Sequence, residues 1–445
     1  MSVDQFLLSS DTTDLNYPEI RPTLDLNFAR VKALDPRITF TRSSGGSYVG
    51  ADGLIKYAGV NEARFDHNPV TGESLGLLIE ESRANSWINS GQNNVTGWNT
   101  GGVNLSFDNT VTAPDGTTNT IKCVETNTFT SGKNINQSIS VTSGTSYTFS
   151  IFAKQPENSP LRYFSILFWD TGFTTFQIVT FDPKNGTVLF NQSGNTTFVE
   201  KYPNGWWRFG VTATATATAT VPFNIRFTNS ISSSPSGFGG PYGNYTGDGS
   251  SFLYFYGPQV EAGAFPTSYI PTQASSRTRA ADNASMTGNN FSSWYNQSEG
   301  SVFTSYQQNS NTTSLNFGVF SLTSSTANNN NLIDYFVGSG VSPVFRIAFN
   351  GVTNQVYEFG GTSTANVRNK GAFSFIANKF TKCINGTFYS TSLARPITGG
   401  IQIPTVNTLV LGQYWGGLTQ LNGTIRRLTY WPKRLPNAQL QALTR

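Results

Sequence analysis

The sequence predicts an all-β chain, tandem antiparallel β-sandwiches behind an extended amino-terminal segment, on three observations. Charged residues make up 12% of it and aromatics 13%, with Gly, Asn, Ser and Thr abundant and strong helix formers confined to short stretches. Thr, Phe, Tyr and Val suit a pleated, half-buried surface. Short runs of alternating apolar and polar residues recur along the chain, and Asn-Gly pairs between them mark tight turns, because both residues tolerate positive φ.

At 445 residues the chain is long enough for two or three domains. Composition and prolines place the boundaries: an amino-terminal segment over 1–85, a middle sandwich over 86–272 and a last sandwich over 273–445. A net charge of +4, scattered rather than clustered, gives no footprint for nucleic acid. No apolar run approaches the ~20 residues that span a bilayer, so membrane insertion is not expected. The start, Met1-Ser2-Val3-Asp4-Gln5-Phe6, shows no basic region before an apolar core. Synthesis and retention in a cytoplasm are therefore expected, and Asn185-Gly186-Thr187 and Asn422-Gly423-Thr424 read as turns rather than glycosylation sites. Cys123 and Cys383 fall in different domains and read as free buried thiols.

Residues 1–23, polar and with Pro18 and Pro22, would gain order by docking onto something else. Leu24–Ala29 and Ile38–Arg42 read as edge strands, and Leu75–Glu81 as a more apolar one. Between them, His67 is the only histidine. Catalysis would require a nucleophile or second base with an orienting carboxylate. Asp66 adjoins it, but neighbours on a strand point to opposite faces, so a hydrogen-bonded loop histidine is expected.

In the middle domain, Ser146–Lys154 and Thr175–Phe181 read as strands, the latter turning at Asn185-Gly186. The best-patterned stretch starts at Trp206-Trp207-Arg208-Phe209 and alternates Thr and Ala to Val221. One face, with Trp207, Phe209, Val211 and the alanines, is core. The other, with Trp206, Arg208 and the threonines, is expected to be at least half wet, and a Thr row on an edge would suit pairing across molecules. Sugar binding needs aromatic faces against pyranose C–H groups, with amides and guanidinium for the hydroxyls. Trp206 with Arg208 fits that chemistry; Trp169, in a glycine- and aromatic-rich loop, and Tyr414-Trp415, just after a strand, are the further candidates. The structural alternatives stand beside them: Trp206 covering the sandwich edge and Trp415 plugging a sandwich end.

Phe252–Tyr256 leads into Gly257-Pro258-Gln259-Val260-Glu261-Ala262-Gly263, then Pro266-Thr267-Ser268-Tyr269-Ile270-Pro271-Thr272. The prolines remove backbone donors, so this stretch reads as an exit strand and an extended strap between domains. Beyond it, strands are expected at 299–306, 317–322, 332–337, 345–349, 371–376 and 409–412, and a short helix at 436–443 with Pro436 near its start. No carboxylate pair, metal cluster or cofactor motif stands out. Asp334 and Glu358 lie on separate strands without a repeat spacing, and one histidine with two distant cysteines makes no metal site. No catalytic residue, metal or cofactor is therefore expected.

The ordered series Leu24–Ala29, Leu34–Arg42, Arg64–His67, Gly76–Glu81, Gln259–Gly263, Pro266–Thr272, Ser292–Gly300 and Leu421–Leu428 resembles a family of tailed-phage virion proteins, the tail-fibre, head-fibre and spike-like proteins. Residues 86–272 look like a jelly-roll carbohydrate-binding module, and 273–445 resemble the concanavalin/laminin-G jelly roll. Where the resembling modules often carry a calcium-liganding aspartate in the final strand, this chain has Gly257-Pro258, which speaks against calcium. The resemblance implies a non-enzymatic virion protein, made in the host cytoplasm, joined to other virion proteins through residues 1–85. It implies projecting sandwiches that bind host-surface glycan, and a homo-oligomer, a trimer favoured, that strengthens weak sugar contacts. The alternatives it leaves open are a purely structural decoration or connector of the head or tail, and a polysaccharide-degrading tailspike.

Overall fold

The computed structural model describes residues 18–91, 94–192, 194–229, 244–310, 316–324, 330–338, 341–350, 352–389, 400–414 and 419–445. Two antiparallel β-sandwiches make up the chain, and the all-β expectation holds.

The middle sandwich stacks two six-stranded sheets. One runs in the order Thr196–Lys201, Trp207–Thr214, Ser146–Lys154, Phe252–Ala262, Thr120–Glu125 and Val103–Asp108. The other runs Thr187–Asn191, Gln177–Asp182, Tyr163–Phe168, Ala219–Thr228, Asn134–Val141 and Asn99–Gly101. Their inner faces bury Trp87, Phe149, Phe164, Phe209, Phe223 and Phe255. Trp87 stacks on Phe149 at 5.1 Å, and Phe164 meets Phe209 edge-on at 5.2 Å. Each such ring contributes roughly 1.5–3 kcal/mol by leaving water.

Trp207, Phe209, Val211 and Ala213 face this core as the alternation requires. The Thr/Ala run, however, is not one strand. It leaves the first sheet at Thr214, turns, and re-enters as Ala219–Thr228 in the opposite sheet. Nor is the threonine row on an edge: Trp207–Thr214 lies between Thr196–Lys201 and Ser146–Lys154, and Thr148 and Thr212 bond each other across it at 2.7 Å.

The last sandwich contains the largest departure from expectation. Residues 1–85 were expected to stand apart as an anchor; their strands Leu24–Leu26, Thr39–Thr41, Phe65–His67 and Ser74–Ile79 complete this sandwich instead. Leu24–Leu26 pairs with one end of Gly423–Trp431, and Ser74–Ile79 pairs with the other. Thr39–Thr41 adds to the facing sheet through Asn283–Thr287. Leu24, Leu26, Phe28, Phe40, Leu77 and Ile79 share one core with Phe320, Tyr335, Phe373, Leu409 and Ile425. The close approach depends on Gly76: at φ +105°, a Cβ there would lie 2.2 Å from the carbonyl oxygen of Ile425. Residues 18–23 continue along the same surface, where the Trp431 indole donates to Ile20 O at 2.9 Å and Thr23 N to Tyr430 O at 3.0 Å. Residues 1–17 lie outside the described part.

The strands expected beyond the strap are all present, Asn385 and Gly386 both take positive φ in their hairpin, and the tail helix covers Asn437–Thr444 after Pro436. Its Leu440 and Leu443 pack on Cys383 and Trp431. Cys123 and Cys383 are both free and buried. Burial pushes both thiols above their ordinary range, so neither is a nucleophile at neutral pH. The expected outcome with an aromatic disulfide reagent is no labelling in native protein and two equivalents after denaturation; a fast native phase would contradict it.

The strap also differs from expectation. Phe252–Ala262, interior to its sheet up to Phe255, continues through Gly257 and Pro258 beside Ser146–Lys154 alone, and a bulge opposite Ile151 interrupts that ladder where the proline has no donor to give. The stretch that follows does not span open space as a hinge. It folds back on its own strand: Thr267 donates from N and Oγ1 to Glu261, at 2.8 and 2.6 Å, and Ile270 N donates to Gln259 at 2.6 Å. Phe265, Tyr269 and Ile270 are buried.

Where strap and amino-terminal strands meet, five charged side chains are out of water: Arg42, Arg64, Glu80, Arg279 and Asp282. Asp282 takes Arg42 at 3.0 Å and, closer still, Arg64; Arg64 also reaches Glu80 at 2.7 Å. Ser268 donates to both oxygens of Glu80, at 2.7 Å from N and 2.6 Å from Oγ. Burial alone would raise the Glu80 pKa, but Arg279 and Arg64 outweigh it and hold it at about 2. The cluster ties the strap to the amino-terminal lobe.

Candidate functional site

Two clefts form where the amino-terminal lobe meets the sandwiches. The larger, about 380 Å³, lies between the hairpin Gly46–Val49/Ile55–Ala58, the loop around Asp115 and the strap from Tyr269 to Arg279. Tyr57 stands on its wall with 49% of its surface exposed. Burial of its hydroxyl end, which bonds Tyr256, pushes the phenol up to about 12. The ring is thus tethered at its tip and open on its side. Tyr256 in turn donates to Asp115 Oδ2 at 2.8 Å, and Asp115 Oδ1 takes Thr117 N and Oγ1 at 3.0 and 2.6 Å. Asn119, Gln273 and Arg277 supply an amide, a second amide and an exposed guanidinium.

The second cleft is smaller, about 90 Å³, and is enclosed by Val49, Asp66, Glu200, Tyr202, Arg208 and Thr267 among others. Here a bulge between Asp66 and His67 overturns the expectation that these neighbours face apart. Both clasp one residue: Val49 N donates to Asp66 Oδ1 at 2.6 Å, and His67 Nδ1 donates to Val49 O at 3.0 Å. His67 Nε2 is buried without a partner. Glu200 sits opposite Arg208 in register on the neighbouring strand.

Asp66 and Glu200 are only half-buried, yet they open onto this enclosed space rather than onto bulk water. Burial first, and the charges of Glu200 and Glu80 after it, push Asp66 up to about 7 against the pull of Val49 N and Arg64. Burial raises Glu200 as well, against Arg208 and a hydrogen bond from Tyr202. The volume is that of about three waters, too small for a sugar ring. What this group can do is hold or release a proton near neutral pH.

The sequence candidates are scattered by the fold. Trp206 is 0% exposed: its indole donates to Thr112 O at 2.9 Å and packs with Val49, Ile55 and Tyr202 beneath the amino-terminal hairpin. A ring with no open face offers no sugar platform. Arg208 lines the smaller cleft, 5% exposed, donating to Thr267 O at 2.8 Å and Ser150 Oγ at 3.1 Å. The face expected to be half wet is wet only at its threonine end, because that lobe covers the rest. Trp169 is half-buried on the other sheet, against Phe176 and Arg226. Tyr414 packs on Phe336 at 4.5 Å and Arg346 at 5.1 Å in the last sandwich, and Trp415 lies outside the described residues. Asp334 pairs with Arg346 across adjacent strands, not with Glu358.

Tyr57, Asn119 and Arg277 escaped sequence reasoning, since they lie far apart in the chain. No local signal marks Tyr57 either: a period of two would set it on the side of buried Ile55, and the strand Ile55–Ala58 breaks that alternation.

No family model matches the chain, and no curated protein is similar to it at a significant level. Among solved structures it is similar to the CBM40 of the Ruminococcus gnavus IT-sialidase bound to alpha2,3 sialyllactose, with 16% identity over 34% of this chain and 83% of that one, at a TM-score of 0.27. It is similar to a SAP-like pentraxin from Limulus polyphemus, with 15% identity over 33% and 70%, at 0.25. It is similar to a Trypanosoma rangeli sialidase, with 9% identity over 73% and 60%, at 0.30. Similarities of this size leave the ligand of this chain to be read from its own residues.

Proposed function

We propose that this chain is a virion fibre or spike protein that binds host-surface glycan, without enzymatic activity, through the 380 Å³ cleft. The observation that carries the glycan reading is the company Tyr57 keeps: an exposed, tethered aromatic ring beside Asn119, Gln273 and Arg277. This is the pairing of aromatic face with amide and guanidinium that pyranose recognition needs. The virion reading is supported by the ordered motif series from Leu24 to Leu428. Contact with other virion proteins through residues 1–85 belongs to the same proposal. From Leu24 on those residues are strands of the chain's own sheets, so their outer faces would make that contact. Oligomerisation, a trimer favoured, would multiply weak sugar contacts.

Replacing Tyr57 with alanine is expected to weaken glycan binding about tenfold, the worth of one stacked ring, with little change in stability because the ring is half exposed. A glycan array followed by calorimetry on the best binder reads this, and equal affinity of the two proteins would remove the cleft from the proposal. A purely structural role as a decoration or connector is favoured by one observation, the complete burial of Trp206. Host adsorption unaffected by cleft substitutions would support that second reading.

A further inference from the structure

We propose that the glycan taken by the larger cleft is acidic, a carboxylate-bearing sugar whose carboxylate pairs with Arg277; this rests on the cleft being the glycan site. Three charged side chains line the cleft: Asp115, Arg277 and Arg279. Two of them are already engaged. Asp115 spends one oxygen on Thr117 and the other on Tyr256, as described above. Arg279 is buried, 3.5 Å from Glu80, and donates to Glu81 O at 2.8 Å. Arg277 is exposed, and no carboxylate among the described residues forms an ion pair with it.

Geometry makes that cation specific rather than incidental. The Arg277 backbone is fixed by pairing with Asn85, and its guanidinium reaches back over Gly45, 3.9 Å from where a Cβ would stand. It therefore leans across the cleft mouth towards the hairpin that carries Tyr57. A sugar stacked on Tyr57 would present an equatorial substituent to Arg277. A carboxylate there accepts two parallel hydrogen bonds and pairs its charge, where a hydroxymethyl accepts one bond on an uncharged oxygen.

The test uses the full chain and a panel of uronic-acid disaccharides, each paired with its carboxyl-reduced counterpart, by calorimetry at low and high salt. The acid form is expected to bind about tenfold tighter or more at low salt, with the margin shrinking as salt rises. R277Q should bring the two forms to equal affinity, the acid form losing far more than the reduced form, and R277K should restore part of the margin. Y57A should weaken both forms together. Equal binding of acid and reduced forms by the wild type, or a margin that survives R277Q, overturns the acidic specificity and leaves the glycan reading standing. Absence of binding to either form across the panel overturns both.

Discussion

Replacing Asp282 with alanine is expected to cost about 3–5 kcal/mol, the range for removing one partner from a buried charge cluster. The reason is what is left behind. Asp282 holds Arg42 at 3.0 Å and Arg64 closer still, and its Oδ2 also receives Glu80 N at 2.9 Å. Its loss takes the carboxylate partner from buried Arg42, leaves buried Arg64 with Glu80 alone, and strands a backbone donor. The Arg64 pKa shows the balance: burial would lower it, and the charges of Asp282 and Glu80 together reverse that. Urea unfolding monitored by tryptophan fluorescence measures the loss, and a change below about 1 kcal/mol would mean that water reaches the cluster. Combining the substitution with Arg64→Leu should cost less than the sum of the two, since the second change removes a charge that the first deprived of one of its two carboxylates. Arg279 and Asp282 lie just past the strap, so proteolysis between 263 and 282 should also quicken in the single variant.

The elements themselves were largely legible; the way they assemble was not. Alternation exposed the core face from Trp207 to Ala213, Asn385-Gly386 marked its hairpin, and Pro436 marked the tail helix, because each rests on residues close in sequence. The amino-terminal lobe illustrates the limit. Leu24 faces Tyr430 in register, and no local pattern carries a pairing across about nine-tenths of the chain. Once that lobe is in place it covers Trp206, so a residue correctly assigned to the outer face of its sheet still has no exposed surface. Bulges are the other blind spot. One lets a strand pass Pro258, and another turns Asp66 and His67 to the same side. Neither can be read from a period of two, because a bulge is a break in that period. The exposure that a sugar platform would need, and that Trp206 and Arg208 lack, belongs to Tyr57 and Arg277, which no local pattern links.

The second large effect is a pH dependence centred on the smaller cleft. Asp66 sits at about 7 in the folded chain, above the ordinary carboxylate value near 4 that it regains on unfolding. The folded state therefore holds this proton more tightly, and stability is greatest below the unfolded value and falls as pH rises towards 7. Glu200, also raised, adds to the same trend. Glu80 does not interfere, because its depressed pKa of about 2 makes its contribution complete above the ordinary glutamate range. The charged and titratable groups around Asp66 are Arg64 and His67 beside it in the chain, Tyr48 from the hairpin, Glu80 beyond the next strand, Tyr269 from the strap, and Glu200, Tyr202 and Arg208 from the middle sandwich. Asp66→Asn keeps an oxygen for Val49 N while removing the titration. It should match the wild type near pH 4 and exceed it by about 2–3 kcal/mol near pH 8, somewhat less than the full linkage value because the cleft admits some water. Thermal melts across that range decide the matter. A wild-type curve that is flat between pH 5 and 8, or an asparagine variant with the same slope, would mean that the bulge presents Asp66 to solvent rather than to Glu200.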